Sequence, residues 1–334
     1  MTKRASTLVT GVAGFIGSFV AQRLLERGEC VVGLDDLNDY YDPELKRARL
    51  ARLQRFRADS QFVFERTNVV DAAAIERVFT QNAIESVVHL AAQAGVRHSI
   101  THPQDYIDSN LTGFLNMLQA VRARPVRHFV YASSSSVYGG NTKLPFSESD
   151  RVDRPVSLYA ATKRANEQMA YVYSWQFGVP ATGLRFFTVY GPWGRPDMAT
   201  FRFTRAIIAG EPIDVYNHGD MRRDFTYIDD IVEGVVTVLD RVPSKDADGV
   251  PHQVYNLGNH RSEPLLRFIE VLSAALGRKA EMRLLPMQMG DVKETFADID
   301  RLSHDYGWAP TTTIDVGLPR FVDWYREYYG RSAS

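Results

Sequence analysis

The chain has 334 residues and a single cysteine, Cys30, so no intrachain disulfide can form. A reducing, cytosolic home is expected. Cys30 stands in "ECVVGL" and reads as a small buried apolar residue. Charge of one sign is missing too: 39 basic side chains face 40 acidic ones, for a formal net charge of −1. No basic field exists to collect nucleic acid or an anionic membrane, so neither is expected as a partner. Any anionic ligand must be met by a few placed groups. Long apolar runs are also lacking. The N-terminal "MTKRASTLVTGVAGFIGSFV" has basic residues and then an apolar stretch, as a signal peptide does. The run is too short to span a membrane, and its glycines have a better use. No internal repeat or low-complexity tract is present. His98 and His102 form His-x-x-x-His, but Pro103 disfavours helix at residue 102, so the rings need not share a face. No cysteine or acid cluster completes a ligand set, and no metal is expected.

What is present is a rhythm. With 45% apolar residues, the chain can bury one large or two medium cores. Short apolar strands ("TLVTG", "CVVGL", "QFVFER", "SVVHLA", "RHFVYAS", "ATGLRFF") alternate with amphipathic stretches. The stretches from Phe15 to Arg27 and from Pro43 to Arg57, and those around Ile75, Leu115 and Glu167, read as helices. That alternation predicts a parallel sheet covered on both faces. Past Phe187 the rhythm loosens, and a smaller mixed α/β domain is expected. The fold class is α/β, with a Rossmann-type doubly wound sheet. Residues 1–187, with a returning segment near 224–259, are expected to bind a dinucleotide. Residues 188–330 are expected to bind substrate, with an interleaved boundary.

Two local patterns carry chemistry. "VTGVAGFIG" sets Gly11, Gly14 and Gly17 between the first strand and the first helix. Glycines there allow a tight turn, close approach to a pyrophosphate and helix-on-strand packing. The helix N-terminus adds free N–H groups and a positive dipole. Asp35 closes the second strand, where an acid accepts from ribose hydroxyls and repels a 2′-phosphate, favouring NAD over NADP. The second pattern is "SLYAATKRANEQ", which puts Tyr159 and Lys163 one helical turn apart. A free tyrosine is a poor base at neutral pH. A lysine ammonium and a positive nicotinamide nearby would favour phenolate, so Tyr159 could take a hydroxyl proton. The serines of "YASSSSVYGG" could supply a hydroxyl to the same substrate oxygen.

Over nearly the whole chain these residues resemble the extended short-chain dehydrogenase/reductases, and the sugar-nucleotide epimerases above all. The resemblance implies NAD on the first domain and a nucleotide sugar in the cleft with the second. It places the hydroxyl partner of Tyr159 at Ser134, just ahead of "VYG", with Ser135 and Ser136 flanking it. "HLAA" matches the cofactor-lining strand end with Ala91 and Ala92, and Asn110 matches an asparagine in the helix behind the site. Asn68, in "RTNVVD", stands where many members carry an acid at the adenine edge, with Asp71 three residues on. Phe15, Ile16, Asn38, Val69, Leu90 and Ser133 are further expected cofactor contacts, as are Tyr159 and Lys163. Dimerisation through helices near 105–122 and 157–177 is also implied.

The reaction is narrowed by what is missing. Dehydratases of this kind carry an Asp-Glu pair in place of the serines, and UDP-glucuronate decarboxylases typically have a glutamate where Ser136 stands. Epimerases need the tyrosine, the lysine and a hydroxyl, and all three are present. "LRFFTVYGPWGRPDMA" and "IDVYNHGDMRRDFTYIDDIVEG" are more similar to epimerases acting on UDP-glucuronate than to those acting on UDP-galactose. Thr188 stands where the latter tend to have asparagine, and Gln288 where they have a second arginine. "MQMGD" departs slightly at Met289 from the commoner "MQPGD". By resemblance Arg223 clamps the diphosphate and Asp291 contacts ribose or a loop. Thr188 and the serines are expected to donate to the sugar's C6 carboxylate, with Arg195 as the positive partner. The expected activity is C4 epimerisation of UDP-glucuronate through a 4-keto intermediate, with tightly bound, recycled NAD. A UDP-galactose 4-epimerase, a UDP-glucuronate decarboxylase and a protein that binds NAD without turnover remain alternatives.

Overall fold

The computed structural model describes residues 4–57, 61–288 and 290–330; Met289 lies outside them. In chain order the strands are β1 (Ala5–Thr10), β2 (Cys30–Asp35), β3 (Phe62–Arg66), β4 (Ala83–His89), β5 (His128–Ser134), β6 (Ala181–Phe186), β7 (Thr188–Tyr190), β8 (Ile213–Val215), β9 (Arg222–Tyr227), β10 (His252–Leu257), β11 (Ser262–Pro264) and β12 (Met282–Leu284). Among the described residues, seven form one sheet in the order β10-β6-β5-β4-β1-β2-β3, parallel throughout. The expected doubly wound sheet is therefore present. β6 is buried along its whole length, as a strand covered on both faces must be. From β1 the chain runs outward to β2 and β3 on one side, while β4, β5 and β6 build the other. The direction changes between β1 and β4, and their carboxyl ends open a crevice there.

Helices cover both faces. Val20 and Leu24 of helix Phe15–Glu26 pack with Ile231 and Val235 of helix Ile228–Asp240 on one side. Ile75, Phe114, Met117 and Ala170, from three further helices, pack on the other. The long helix Leu158–Phe177 begins where the Ser157 side chain accepts from Ala160 N, and it ends at Gly178 in a left-handed conformation (φ 68°). That cap puts Tyr159 in the first turn, beside the end of β5.

The smaller lobe holds β7 and β9 in parallel, with β11 antiparallel to β9, and a separate β8–β12 pair. Its Phe225, Phe268 and Phe321 belong to the same apolar cluster as Val20 and Leu24. One continuous core under both lobes is the physical reason the boundary is not clean in sequence. β9 pairs with β7 and β11, and the helix Ile228–Asp240 that follows it packs against the helix Phe15–Glu26 of the first lobe. Cys30 is half-buried rather than buried, since it opens β2 at the strand's exposed start.

Candidate active site

Both lobes line a cleft of about 850 Å³ over the carboxyl ends of β1, β4 and β5. Its first wall is the glycine turn. Gly11 has φ +68°, and a Cβ there would lie 2.9 Å from Ala91 N across the crevice. A Cβ on Gly17 would lie 2.1 Å from Gly11 O, so the turn closes only with hydrogen at these positions. Helix Phe15–Glu26 begins at Gly14 without a side-chain cap, and Phe15 and Ile16 line the cleft with its first turn. Asp35 is 8% exposed; its Oδ2 accepts from Ala13 N (3.0 Å) and its Oδ1 from Leu37 N (2.9 Å). These bonds aim the carboxylate along the wall. Burial raises its pKa, against those backbone donors and the Lys46 charge.

Behind this wall lies a residue the sequence did not mark. Arg49 is fully buried, and no carboxylate is among its bonded partners. Its guanidinium donates to Ala13 O, the Tyr41 hydroxyl, Trp193 O and Gly194 O. It ties the glycine turn to the loop that carries Arg195.

At the other end of this wall, Asn68 does not point freely into the cleft. Its Nδ2 donates to Asp36 Oδ2 (2.8 Å) and its Oδ1 accepts from Val70 N (2.9 Å), fixing the turn in which Val69 faces the cleft. Asn38 accepts from Lys46 Nζ at 2.6 Å. Asp71 caps the helix Ala72–Gln81 by accepting from Ala74 N, away from the lining. Leu90 N and Ala91 N donate to Thr10 Oγ1 (3.2 and 3.1 Å), which also bonds His89 Nδ1 at 2.8 Å. Burial, with Lys163 nearby, pushes the His89 pKa down to about 3, so its ring is neutral. Leu90, Ala91 and Ala92 thereby line the cleft in one fixed path.

Asn110 is the clearest departure among the expected cofactor contacts. It sits in a π-helical turn, Ile107–Thr112, and is 2% exposed. Its Oδ1 accepts from Gln93 N (2.9 Å), and its Nδ2 donates to Gln93 O and Thr162 Oγ1 (3.0 Å each). It holds the strand end from behind and is not on the cleft wall.

The serine run divides by strand alternation. Ser133 turns its hydroxyl under the sheet, donating to Glu167 Oε1 at 2.6 Å, so only its backbone is left to the cleft. Ser134 faces the cleft, accepts from Ser136 N (3.1 Å) and lies against the Tyr159 phenol. Ser135 and Ser136 follow in a short 3₁₀ turn, both half-buried and both lining the cleft. Burial pushes the Tyr159 pKa up, with the Ser134 hydroxyl and the Arg195 charge pulling it down. Lys163 Nζ donates to Ala132 O (2.9 Å), and burial pushes its pKa down to about 8. The ammonium has further N–H groups to offer along the cleft.

Opposite stand the lobe-two residues. Thr188, at the start of β7, is half-buried and lines the cleft. Arg195 is paired with Asp197 through Nε–Oδ1 (3.0 Å) and Nη2–Oδ2 (2.5 Å). Burial works against its charge, but Asp197 outweighs it and holds the pKa well up. The expected positive partner therefore already carries a carboxylate. Arg223 lines the cleft, its Nη1 donating to Arg222 O and Lys293 O (2.8 and 3.0 Å). Burial lowers its pKa, against Asp291. Arg97, missed in the sequence, donates to Asp291 Oδ2 (3.2 Å) and covers the Tyr216 ring at 4.9 Å. Arg97, Arg202 and Arg223 all line the cleft, as do Asp214 and Asp291. His98 and His102, by contrast with the expectation, do share a face: their rings stack at 4.2 Å and 9°. His98 bonds Asp105, and no metal-binding cluster exists among the described residues.

The crevice at the strand switch, the glycine turn and an acid-closed β2 define a dinucleotide-binding enzyme of the Rossmann type, with a tyrosine and a serine hydroxyl side by side on the cleft wall. Comparison with known proteins takes this further: the chain belongs to the NAD dependent epimerase/dehydratase family, which it matches over residues 7–258. It is 49% identical to Protein CapI of Staphylococcus aureus, over 96% of this chain and 98% of that one. It is 46% identical to a probable UDP-glucuronate 4-epimerase of Rhizobium meliloti, over 97% and 98%. Among solved structures, UDP-glucuronic acid 4-epimerase from Bacillus cereus, in complex with UDP-glucuronic acid and NAD, superposes with a TM-score of 0.89. That match has 33% identity and covers 97% of this chain and 100% of that one. The residues here fit NAD, because the glycine turn admits no side chain and the buried Asp35 carboxylate lines the cleft at the end of β2.

Proposed function

We infer that the protein interconverts UDP-glucuronate and UDP-galacturonate by inverting C4. The observation that carries this reading is the Tyr159 phenol beside the Ser134 hydroxyl, faced by Thr188 and Arg195, with serines and no acid from 133 to 136. NAD, when bound, accepts the C4 hydrogen with its electron pair and returns it to the other face. Tyr159 takes the O4 proton, and Ser134 donates to the same oxygen. Lys163 reaches the cofactor's ribose from the buried side. The glycine turn, through Gly11, Gly14 and Gly17, meets the pyrophosphate, and Asp35 the adenosine ribose. Arg223, with Asp291 beside it, meets the diphosphate and ribose of UDP.

A C6 carboxylate costs several kcal/mol to bury unpaired. Thr188, Ser135 and Ser136 supply donors to it, and Arg195 supplies the charge. Residues 1–187, together with the helix and strand between 228 and 257, hold NAD, and the remainder to 330 holds the sugar nucleotide. Leu115, Val172 and Trp175, which are 39%, 45% and 58% exposed on neighbouring helices, support a homodimer built on those helices. The single half-buried cysteine supports a reducing, cytosolic setting. No helix among the described residues is long and apolar enough to cross a membrane.

The test is incubation with UDP-glucuronate and no added NAD, with products identified by NMR. UDP-galacturonate is expected, because epimerisation consumes no net hydride. A need for stoichiometric NAD⁺, with NADH accumulating, would replace this reading with a dehydrogenase. Tyr159→Phe is expected to keep the fold and bound cofactor and to lose about 10²-fold or more of the rate. A near-normal rate would move the base elsewhere.

A further inference from the structure

Two charges that no step of the reaction touches lie directly beneath the serine run. Glu167 and Arg185 are each 2% exposed. Arg185 Nε meets Glu167 Oε1 at 2.8 Å and Nη2 meets Oε2 at 2.9 Å. Neither residue lines the cleft. The pair grips the serine run at both ends. Ser133, next to last in β5, donates to Glu167 Oε1. Tyr138, last in the 3₁₀ turn Ser135–Tyr138, accepts from Arg185 Nη1 at 3.0 Å. The Tyr138 hydroxyl in turn donates to Asn256 Oδ1 at 2.6 Å. Asn256 Nδ2 donates to Phe146 O and Asp298 O (2.8 and 2.9 Å), anchoring the far end. The residues between the two grips, Ser134 to Ser136, are the ones that face the sugar.

A buried ion pair is a weak source of stability, because the desolvation of both charges offsets their attraction. Its use here is geometric. Oxidised at C4, the sugar is a β-keto acid. It loses CO₂ when the C5–C6 bond lines up with the carbonyl π system. The C5–C6 electron pair then enters the enolate on the C4 oxygen, CO₂ leaves, and C5 takes a proton from water. Hydroxyls that hold the carboxylate out of that alignment must themselves be held. We propose that Glu167 and Arg185 are positioning residues that clamp Ser133 and Tyr138. The clamp sets the serine hydroxyls so that the 4-keto sugar is reduced rather than decarboxylated. This rests on UDP-glucuronate being the substrate.

The test compares Ser133→Ala, Tyr138→Phe and Glu167→Gln with Tyr255→Phe. The last loses a comparable hydroxyl bond, to Asp305 Oδ2 at 2.7 Å, outside the clamp. With UDP-glucuronate as substrate, NMR reads the ratio of decarboxylated pentose to hexuronate. Hydrogen exchange by mass spectrometry reads the backbone at 134–137. Ser133→Ala and Tyr138→Phe are expected to raise the pentose fraction about tenfold, with KM within twofold of wild type and faster exchange at 134–137. Glu167→Gln is expected to do more; if it does not fold, the two milder variants decide. Tyr255→Phe is expected to change neither readout. Unchanged partition in both milder variants, or an equal change in Tyr255→Phe, would overturn the clamp. Wild-type protein inert toward UDP-glucuronate would sink the substrate reading instead. Exchange then decides the clamp alone: no acceleration relative to Tyr255→Phe overturns it.

Discussion

Arg185 and Arg195 each hold a carboxylate with two prongs, and the two pairs have opposite uses. The Arg185–Glu167 side chains are 3% and 2% exposed, sealed under the sheet. The Arg195–Asp197 side chains are 21% and 33% exposed, on the wall of the cleft. A sealed pair cannot trade its partner, because either charge left alone stays in a medium that cannot solvate it. A pair on a cleft wall can, because water or an incoming anion takes up what is released. The same chemistry is therefore a fixed strut in one place and an exchangeable contact in the other.

The largest expected effect tests the strut. Arg185→Met leaves the buried Glu167 with only the partly exposed Arg164 (Nη1–Oε2, 2.9 Å) and the Ser133 hydroxyl, and should lower stability by about 3 kcal/mol in urea unfolding. Arg195→Met should lower it by about 1 kcal/mol or less, because Asp197 can rehydrate. Similar losses in both would erase the distinction.

Activity should rank the pairs the other way. A charge-assisted bond is worth about 1.5–3 kcal/mol, or roughly ten- to two-hundredfold in rate. Arg195→Ala, and Thr188→Ala on the same wall, should cut UDP-glucuronate turnover by that factor, with wild type strongly preferring UDP-glucuronate over UDP-glucose. Arg195→Ala should also move the rising limb of the pH–rate profile upward, since the lost charge was pulling the Tyr159 pKa down against burial. Equal use of the uncharged sugar, with Arg195→Ala silent on both, would favour a UDP-galactose 4-epimerase.

A smaller effect separates Asp197 from the substrate's carboxylate. Asp197→Asn removes the competing anion, and should lower KM for UDP-glucuronate by about two- to fivefold, the span of an exposed pair. A raised KM would mean that Asp197 orients Arg195 rather than competing for it.

The smallest effect is in stability against pH. Burial would raise the Glu167 carboxyl, but Arg185, with the Ser133 hydroxyl and Arg164, outweighs it and holds the folded pKa below the usual carboxylate range. A depressed acid contributes stability above its unfolded pKa and loses it as pH falls through the folded one. Acid titration of unfolding should therefore show a loss below about pH 4.5 that Glu167→Gln lacks. Asp197, also lowered but more exposed, should add a weaker loss at lower pH. A Glu167→Gln protein with an unchanged acid slope would remove the pair from the account.

Much of the site is local and so was legible. Gly11, Gly14 and Gly17 mark a turn through spacing alone, and Tyr159 and Lys163 share a helix face through a period of one turn. Alternation along β5 implies that Ser133 and Ser134 point opposite ways, but not which of them meets the cleft. Asn110 reads as a site asparagine and proves to be a brace, because a π-helical turn carries its side chain behind Gln93. Arg97 and Arg49 left no local signal. Each acts on partners far along the chain, Asp291 for one and Trp193 for the other.

By itself, then, the order of residues determined the strands, the helices, the glycine turn and the helix face that Tyr159 and Lys163 share. These depend on periods of two and 3.6 residues and on the conformational freedom of glycine, which neighbours in the chain suffice to specify. Which carboxylate Arg185 holds, and where the Arg195–Asp197 pair is displayed, was decided only by the tertiary structure. Arg185 meets Glu167 because β6 lies beside β5 and the helix Leu158–Phe177 crosses beneath them. Arg195 meets Asp197 two residues on within its own loop, and the tertiary structure sets that loop, tied by Arg49 to the glycine turn, on one wall of the cleft. Burial then sets the worth of each pair, and burial is a property of the packed molecule rather than of any stretch of it.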